Sequence, residues 1–479
     1  MKNLTPQAVW ENFYNLTQIP RPSGQKEEVT AFLANYGRSL GLETIVDSMG
    51  NVIIRKPASA GYEDHPGVIL QGHSDMVQQK NNDTVFDFSK DTLEAYVDGE
   101  WVTAKGTTLG ADNGIGVAAA MAILADKNAV HPPLEVLITV DEETGLYGAF
   151  ALEGGMLQGK TLLNLDSESE GELYVGCAGG VDITAKFAYT PVEVEEGDVA
   201  VKVSITGCKG GHSGCDIHLQ RANANKLLFR FLKDAVANLE ARLASVEGGS
   251  LRNAIPREAS AIITVPAEGV DEIMDLVAEY EDLFVAEYNG IEDAIRFTAT
   301  EVACPTTELP EDVQDFLIHA VTTCPHGVYR VIPERPDVVE TSNNLAMLTT
   351  EDNCITVSCL TRSSVESRKE ELQEIIHSAF AMAGAEVEFS GSYPGWQPNF
   401  NSNILEVMKT TYQTNYGVEP QVIIIHAGLE CGIIGRNYPG MDMISFGPTI
   451  QHPHSPDERV NIASVAKFYD YLLATLKAL

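Results

Sequence analysis

At 479 residues the chain exceeds what one hydrophobic core usually supports, so two or three folding units are expected; 44% apolar and 21% charged residues describe a soluble globular protein. Its 68 acidic against 32 basic residues leave a net charge of −36, which repels phosphate backbones and anionic lipid and argues against nucleic-acid or membrane partners. The longest apolar run, within Gly116 to Ala125, is too short to span a bilayer, no export signal is read in the first residues, and eight scattered Cys without a C-x-x-C pair fit reduced thiols in the cytoplasm.

From Pro6 to about Gly180 helix and strand patterns alternate. A helix is predicted at 26–40, strands around 43–46, 51–54 and 68–70, a helix over 114–126, then strands over 134–140 and 161–165. Residues 181–393 read differently. Strand 199–206, helix 222–239, strand 259–265, helix 271–287 and strand 294–302 form one α+β set. Helix 311–321, strands around 345–348 and 354–360, helix 367–383 and strand 386–390 form a second. The last stretch resumes the first pattern with helix 403–416, strands 421–425 and 441–446, and helix 462–476. The expected fold is α/β: a domain of residues 1–180 and 394–479 with a mixed, mostly parallel sheet flanked by helices, interrupted by an inserted α+β domain of residues 181–393. The insert reads as an internal duplication with halves of about 181–302 and 303–393.

Several of these predicted strands deliver metal-seeking side chains just past their ends. The segments are Gln71-Gly72-His73-Ser74-Asp75, Val140-Asp141-Glu142-Glu143 and Asn164-Leu165-Asp166, joined by His452-Pro453-His454 in the loop after 441–446. Ligands of open α/β sheets bind outside the carboxyl ends of the strands, where distant parts of the chain converge. A further carboxylate, in Gly110-Ala111-Asp112-Asn113-Gly114, heads an apolar helix. The set points to a two-metal hydrolase, in which ions about 3.5–4 Å apart acidify water and stabilise developing oxygen charge. Imidazoles mixed with carboxylates suit Zn, Co or Mn better than Ca or Mg. One carboxylate must bridge the ions, and Asp112, held at a Gly-rich turn, is a good candidate. Of Glu142 and Glu143, one can bind metal while its neighbour acts as general base, and spacing alone leaves open which. Asp75, two residues beyond His73, is placed to orient that imidazole.

The blocks His73-Ser74-Asp75, Gly110 to Gly114, Asp141-Glu142-Glu143, Asn164-Leu165-Asp166 and His454-Ser455-Pro456-Asp457-Glu458 resemble those of the di-zinc metallopeptidase family of peptidase T, peptidase V and the carnosinases. With Gly210-Gly211-His212-Ser213-Gly214, Pro394-Gly395-Trp396 and His426-Ala427-Gly428-Leu429-Glu430, the wording is most similar to the aminoacyl-histidine dipeptidase branch, and the resemblance spans essentially the whole chain. It implies that Asp112 bridges two ions, His73 and Asp166 completing one site, Glu143 and His454 the other. Glu142 would be the general base, Asp75 the orienter of His73, and Asp112-Asn113 a cis peptide. The insert would be a lid whose His212 stabilises the oxyanion, with Asn253 contacting substrate and Arg362 binding its carboxylate. At this last position the chain departs from the family, with Leu360 where relatives hold an Asp. The implied activity is metal-dependent hydrolysis of unblocked dipeptides, Xaa-His including β-alanyl-histidine, by a homodimer carrying two divalent ions, with zinc ahead of Co or Mn.

Other readings stand beside this one. An N-acyl amino acid deacylase or carboxypeptidase of the same family would share every catalytic residue, and a non-catalytic metal or peptide-binding scaffold is the reading from another class. Taken singly, His454 could be a loop histidine, His212 a turn cap, Arg362 a surface ion-pair residue, and His426, Glu430 and Trp396 core residues. Cys208 and Cys215 flank His212 but lack a fourth ligand. Nucleophile-elbow, P-loop and dinucleotide motifs are absent from the sequence.

Overall fold

The computed structural model describes residues 1–479 and divides them into two compact units. One comprises Met1–Cys177, Trp396–Ile424 and Leu429–Leu479; the other comprises Ala178–Gly395 with Ile425–Gly428.

The first unit is an α/β layer structure around an eight-stranded mixed sheet. Its order is Glu43–Val46, Val52–Lys56, Leu134–Thr139, Val68–His73, Thr161–Asn164, Asp442–Ser445, Glu172–Cys177, Gln421–Ile425. The four strands from Leu134–Thr139 to Asp442–Ser445 run parallel, so their carboxyl ends share one edge. Val68–His73 and Leu134–Thr139 are buried at every residue, as strands covered on both faces must be. The covering helix Ala111–Ala125 is buried from Ala111 to Leu124, which its Ala and Gly content permits. A β-carbon at Gly116, for example, would stand 2.6 Å from the carbonyl oxygen of Leu165. Trp10, Phe13 and Leu16 of helix Gln7–Thr17 join the same core. A small sheet pairs Ile450–Gln451 with Arg459–Asn461, so residues 452–458 form a hairpin loop that carries His454.

The second unit is built on a nine-stranded antiparallel sheet. Its main order is Arg296–Val302, Asp198–Thr206, Ala259–Pro266, Arg242–Gly248, Arg335–Glu351, Cys354–Ser363, Gly179–Ala188, Glu386–Tyr393, with Gly327–Ile332 against Arg335–Glu351. Arg242–Gly248 and Arg335–Glu351 meet at the single pair Gly248 and Leu348. Phe231, Phe284, Phe297 and Phe380, among others, fill the core with helices Ala224–Asn238, Val270–Glu287, Glu311–Thr323 and Glu366–Met382 around it. No helix of the chain is long and apolar enough to cross a membrane.

Several strands escape the sequence pattern, among them Glu172–Cys177, Gly179–Ala188 and Arg242–Gly248. The first two are joined through Gly176, Gly179 and Gly180, residue types that strands usually avoid. Close backbone approach explains two of these glycines, because a β-carbon at Gly179 would meet Gly395 and one at Gly180 the Tyr393 ring. Helix Ala111–Ala125 also begins earlier than its predicted start at 114, across the non-helical Asp112 and Asn113.

Candidate metal centre

The parallel strand ends and the helix head bring the first-unit residues together. His73 ends strand Val68–His73, and its Nε2 lies 3.1 Å from Asp112 Oδ1 and 3.2 Å from Asp166 Oδ1. His454 Nε2 lies 3.1 Å from Asp112 Oδ2 and 3.0 Å from Glu143 Oε2. The two oxygens of Asp112 therefore face two different clusters, His73 with Asp166 and His454 with Glu143. His452 is exposed and takes no part. The Asp112-Asn113 peptide is cis.

Backbone geometry aims these groups. Asp141 and His454 both have positive φ, 53° and 59°, in a left-handed region that non-glycine residues seldom occupy. At Asp141 the turn is fixed by its own carboxylate, which accepts from Gly24 N at 2.7 Å and Lys26 Nζ at 3.0 Å. Asp75 accepts from Ser23 Oγ at 2.7 Å, Glu142 N at 3.0 Å and Glu143 N at 3.3 Å, and stands 3.5 Å from His73 Nδ1. It thus ties the His73 loop to the loop that carries both glutamates. Burial would raise the Asp75 carboxyl, but His73 and these donors hold it at about 2.

The donor set fits a pair of divalent cations. Glu143 Oε1 and Asp166 Oδ1 are buried without a hydrogen-bond donor, Asp166 Oδ1 lying close to His73 Nε2 without hydrogen-bond alignment. Burial pushes Asp166 up to about 7 and raises Glu142 and Glu143, with neighbouring carboxylates adding to the effect. Hydrogen bonds to Asp112 and Glu143 lift His454 to about 11. Burial would lower His73, but Asp166, Asp112 and Asp75 hold it well above its ordinary value. Protons on both imidazoles therefore sit where the surrounding carboxylates demand positive charge, a demand that metal ions satisfy with those protons displaced. The spacings of 3.0–3.2 Å are close to the edge of about 3.3 Å in a tetrahedron with zinc-to-ligand bonds of about 2 Å.

Beneath the centre lies a polar network that sequence reasoning left among core residues. Glu430 accepts from Gln71 Nε2 at 2.5 Å and Thr139 Oγ1 at 2.8 Å, while Asn164 Nδ2 donates to Gln71 Oε1. Arg21 and Glu458, to which the sequence assigned no part, are buried against the ligand loops. Glu458 had a signal, four residues after His454 in the same block; Arg21, among Ile19-Pro20-Arg21-Pro22, had none.

In the second unit, His212 pairs with Ala254 in a short two-stranded ribbon. Its Nδ1 accepts from Gly214 N at 3.1 Å and Cys215 N at 2.9 Å. That fixes the neutral tautomer with hydrogen on Nε2, and burial followed by the Arg362 charge lowers its tendency to protonate. Ser213 joins the other two predicted residues: its N donates to Asn253 O at 2.8 Å and its Oγ accepts from Arg362 Nε at 3.4 Å. Arg362 is buried, bonded also to the Tyr393 hydroxyl at 2.9 Å, so it is not a surface ion-pair residue. His426 is likewise buried, with Ser342 Oγ 2.7 Å from its Nε2. All eight cysteines are free thiols.

Comparison with known proteins agrees with this chemistry. The cytosol non-specific dipeptidase of Escherichia coli (strain K12) is 46% identical over 477 residues, covering 100% of this chain and 98% of its own length. The crystal structure of aminoacylhistidine dipeptidase from Vibrio alginolyticus superposes with a TM-score of 0.95 at 47% identity, covering 100% of this chain and 98% of that one. The aminopeptidase PepT of Bacillus cereus ATCC 10987, 17% identical with a TM-score of 0.58 over 99% of both chains, shares the fold. The model of peptidase family M20/M25/M40 matches residues 69–478, a span that holds every ligand-type side chain of the centre, and this chain belongs to that family of peptidases.

Proposed function

We propose that this chain is a two-metal dipeptidase that cuts unblocked dipeptides, Xaa-His and β-alanyl-histidine among them, in the cytoplasm. The observation that carries the reading is Asp112, whose two oxygens each face a separate histidine and carboxylate. In this reading His73, Asp112 and Asp166 hold one ion and Asp112, Glu143 and His454 the other, with zinc as occupant and cobalt or manganese as alternatives. When bound, the pair supplies an acidified water and a polarised scissile carbonyl. Glu142 takes the proton of the attacking water and passes it to the departing amine as the amide bond breaks. Asp75 keeps His73 and the backbone of Glu142 and Glu143 in register. Residues 181–393 serve as the lid, in two halves of about 181–302 and 303–393. From the lid His212 donates its Nε2–H to the carbonyl oxygen, Arg362 pairs with the substrate carboxylate and Asn253 contacts the substrate.

The names of the full-length relatives support a dipeptide substrate; the preference for C-terminal histidine follows the Vibrio protein and the cytoplasmic setting the E. coli one. A homodimer completes the proposal. The test is a panel of β-alanyl-histidine, Ala-His, Gly-Gly and their N-acetylated forms, assayed on chelator-stripped protein with Zn, Co or Mn restored in turn. Metal-restored cleavage of the free dipeptides is expected. Preference for the acetylated forms would make the chain a deacylase or carboxypeptidase, and no metal-dependent turnover would leave a binding scaffold.

A further inference from the structure

Two buried charges that take no part in the chemistry above tie together three ligand-bearing loops. Glu458, 2% exposed, accepts four backbone N–H groups: Leu109 at 2.7 Å and Gly110 at 2.9 Å on Oε2, Ala111 at 2.7 Å and Asp112 at 3.3 Å on Oε1. These donors open helix Ala111–Ala125, whose first N–H groups have no partner within the helix. Arg21, also 2% exposed, grips the other side of the same turn, with Nη2 on the carbonyl of Gly110. Its Nη1 reaches the carbonyls of Ser74 at 3.0 Å and Asp75 at 3.3 Å. A β-carbon at Gly110, where φ is 67°, would run into this guanidinium and the Met76 sulfur, so the approach leaves no slack.

We infer that Arg21 and Glu458 are positioning residues that set the place of Asp112 relative to His73 and His454, and so the separation of the two cation sites. The inference rests on the two-metal reading above. Helix capping alone does not account for the pair. Ser, Thr, Asp or Asn at the start of a helix satisfies its orphan N–H groups from within the helix's own chain segment. Here the cap comes from a residue 346 positions from Asp112, four residues after His454, and therefore joins two ligand loops. The guanidinium joins the Asp112 loop to a third, following His73. Its planar fork can hold carbonyls of two loops at once, which a lysine ammonium on a flexible stem does not reproduce. A carboxylate is also the side chain that takes four N–H groups on two acceptor oxygens, whereas the amide of Glu458→Gln would turn an NH2 toward two of them.

The test uses full-length, chelator-stripped protein with Glu458→Gln and Arg21→Lys, the second serving if the first fails to fold. Three quantities are read: cobalt uptake followed by its visible absorption, hydrogen exchange of the amides at 109–112 without metal, and kcat and KM at saturating metal. In either variant the second cobalt should bind about tenfold or more weakly with an altered spectrum. Exchange at 109–112 should quicken, and kcat should fall with KM within about threefold. A variant with lowered melting temperature but a wild-type cobalt isotherm and spectrum would show the pair to be structural only and overturn the inference. Wild-type protein that takes up no cobalt would overturn the two-metal reading itself, and the inference with it.

Discussion

Replacing Asp75 by Asn changes one oxygen to an NH2 at a position where every contact around the carboxylate is a donor. Oδ1 accepts from Glu142 N, and Oδ2 accepts from Ser23 Oγ and Glu143 N. Whichever way the amide turns, an N–H faces a backbone N–H of the loop that carries Glu142 and Glu143. A hydrogen bond to a charged group contributes about 1.5–3 kcal/mol, and about 1.4 kcal/mol corresponds to a factor of ten. Asp75→Asn is therefore expected to lower kcat/KM or metal affinity by about 10- to 100-fold, in the range usual for groups that orient metal ligands. Ser23→Ala, which removes only the hydroxyl donor to Oδ2, should cost no more than one such bond, about 1.5–3 kcal/mol. The assay is kcat/KM on a free dipeptide beside a zinc-binding isotherm of stripped protein. An Asp75→Asn enzyme within twofold of wild type in both would refute the claim that this carboxylate holds the two loops in register.

Glu142→Ala should lower turnover by at least about 10²- to 10⁴-fold while metal content, measured by elemental analysis, stays at the wild-type level; loss of metal with activity would remove Glu142 from the general-base role. Gly72→Ala would press a β-carbon into the Asn113 side chain, which donates to Leu165 O at 2.6 Å. The overpacking should cost about 1–3 kcal/mol, seen as a drop in the urea midpoint, and an unchanged midpoint would contradict the tight contact. His426 is pushed down to about 3, by burial first and then by Arg362, His212 and His218. Its folded value lies below the unfolded one of about 6.5, so its contribution is complete above pH about 6.5 and lost as pH falls toward 3. At pH 5 the loss is on the order of 2 kcal/mol, and His426→Gln should flatten the fall in unfolding free energy between pH 7 and 5. A variant with the wild-type slope would show that His426 does not set it.

The ligand-type residues were legible because each sits in a short block at the end of a buried strand or the head of an apolar helix, where local pattern carries the signal. The α/β class was legible for the same reason. Less of the architecture could be read where long-range pairing decides it. Strand Asp442–Ser445 enters the sheet between Thr161–Asn164 and Glu172–Cys177, a placement that no local pattern encodes. The glycines around Cys177 hid two strands whose conformation depends on close backbone neighbours. Lone charges such as Arg21 were out of reach as well. Their importance comes from carbonyls 53 to 89 positions away, and an arginine in a loop ordinarily reads as solvent-facing.

The placement of Asp442–Ser445 and of the hairpin that carries His454 bears on how the protein is made. Translation runs from the amino end, and the middle of the first sheet waits for a strand that emerges almost last. A ribosome that stalls in the intervening 200 or so residues of the second unit releases a product with four of the five ligand-type loops and no closed cage. In the proposed two-metal reading, hydrolytic power arrives only once the hairpin that carries His454 has been made, so unfinished copies are expected to be inert toward the peptides around them.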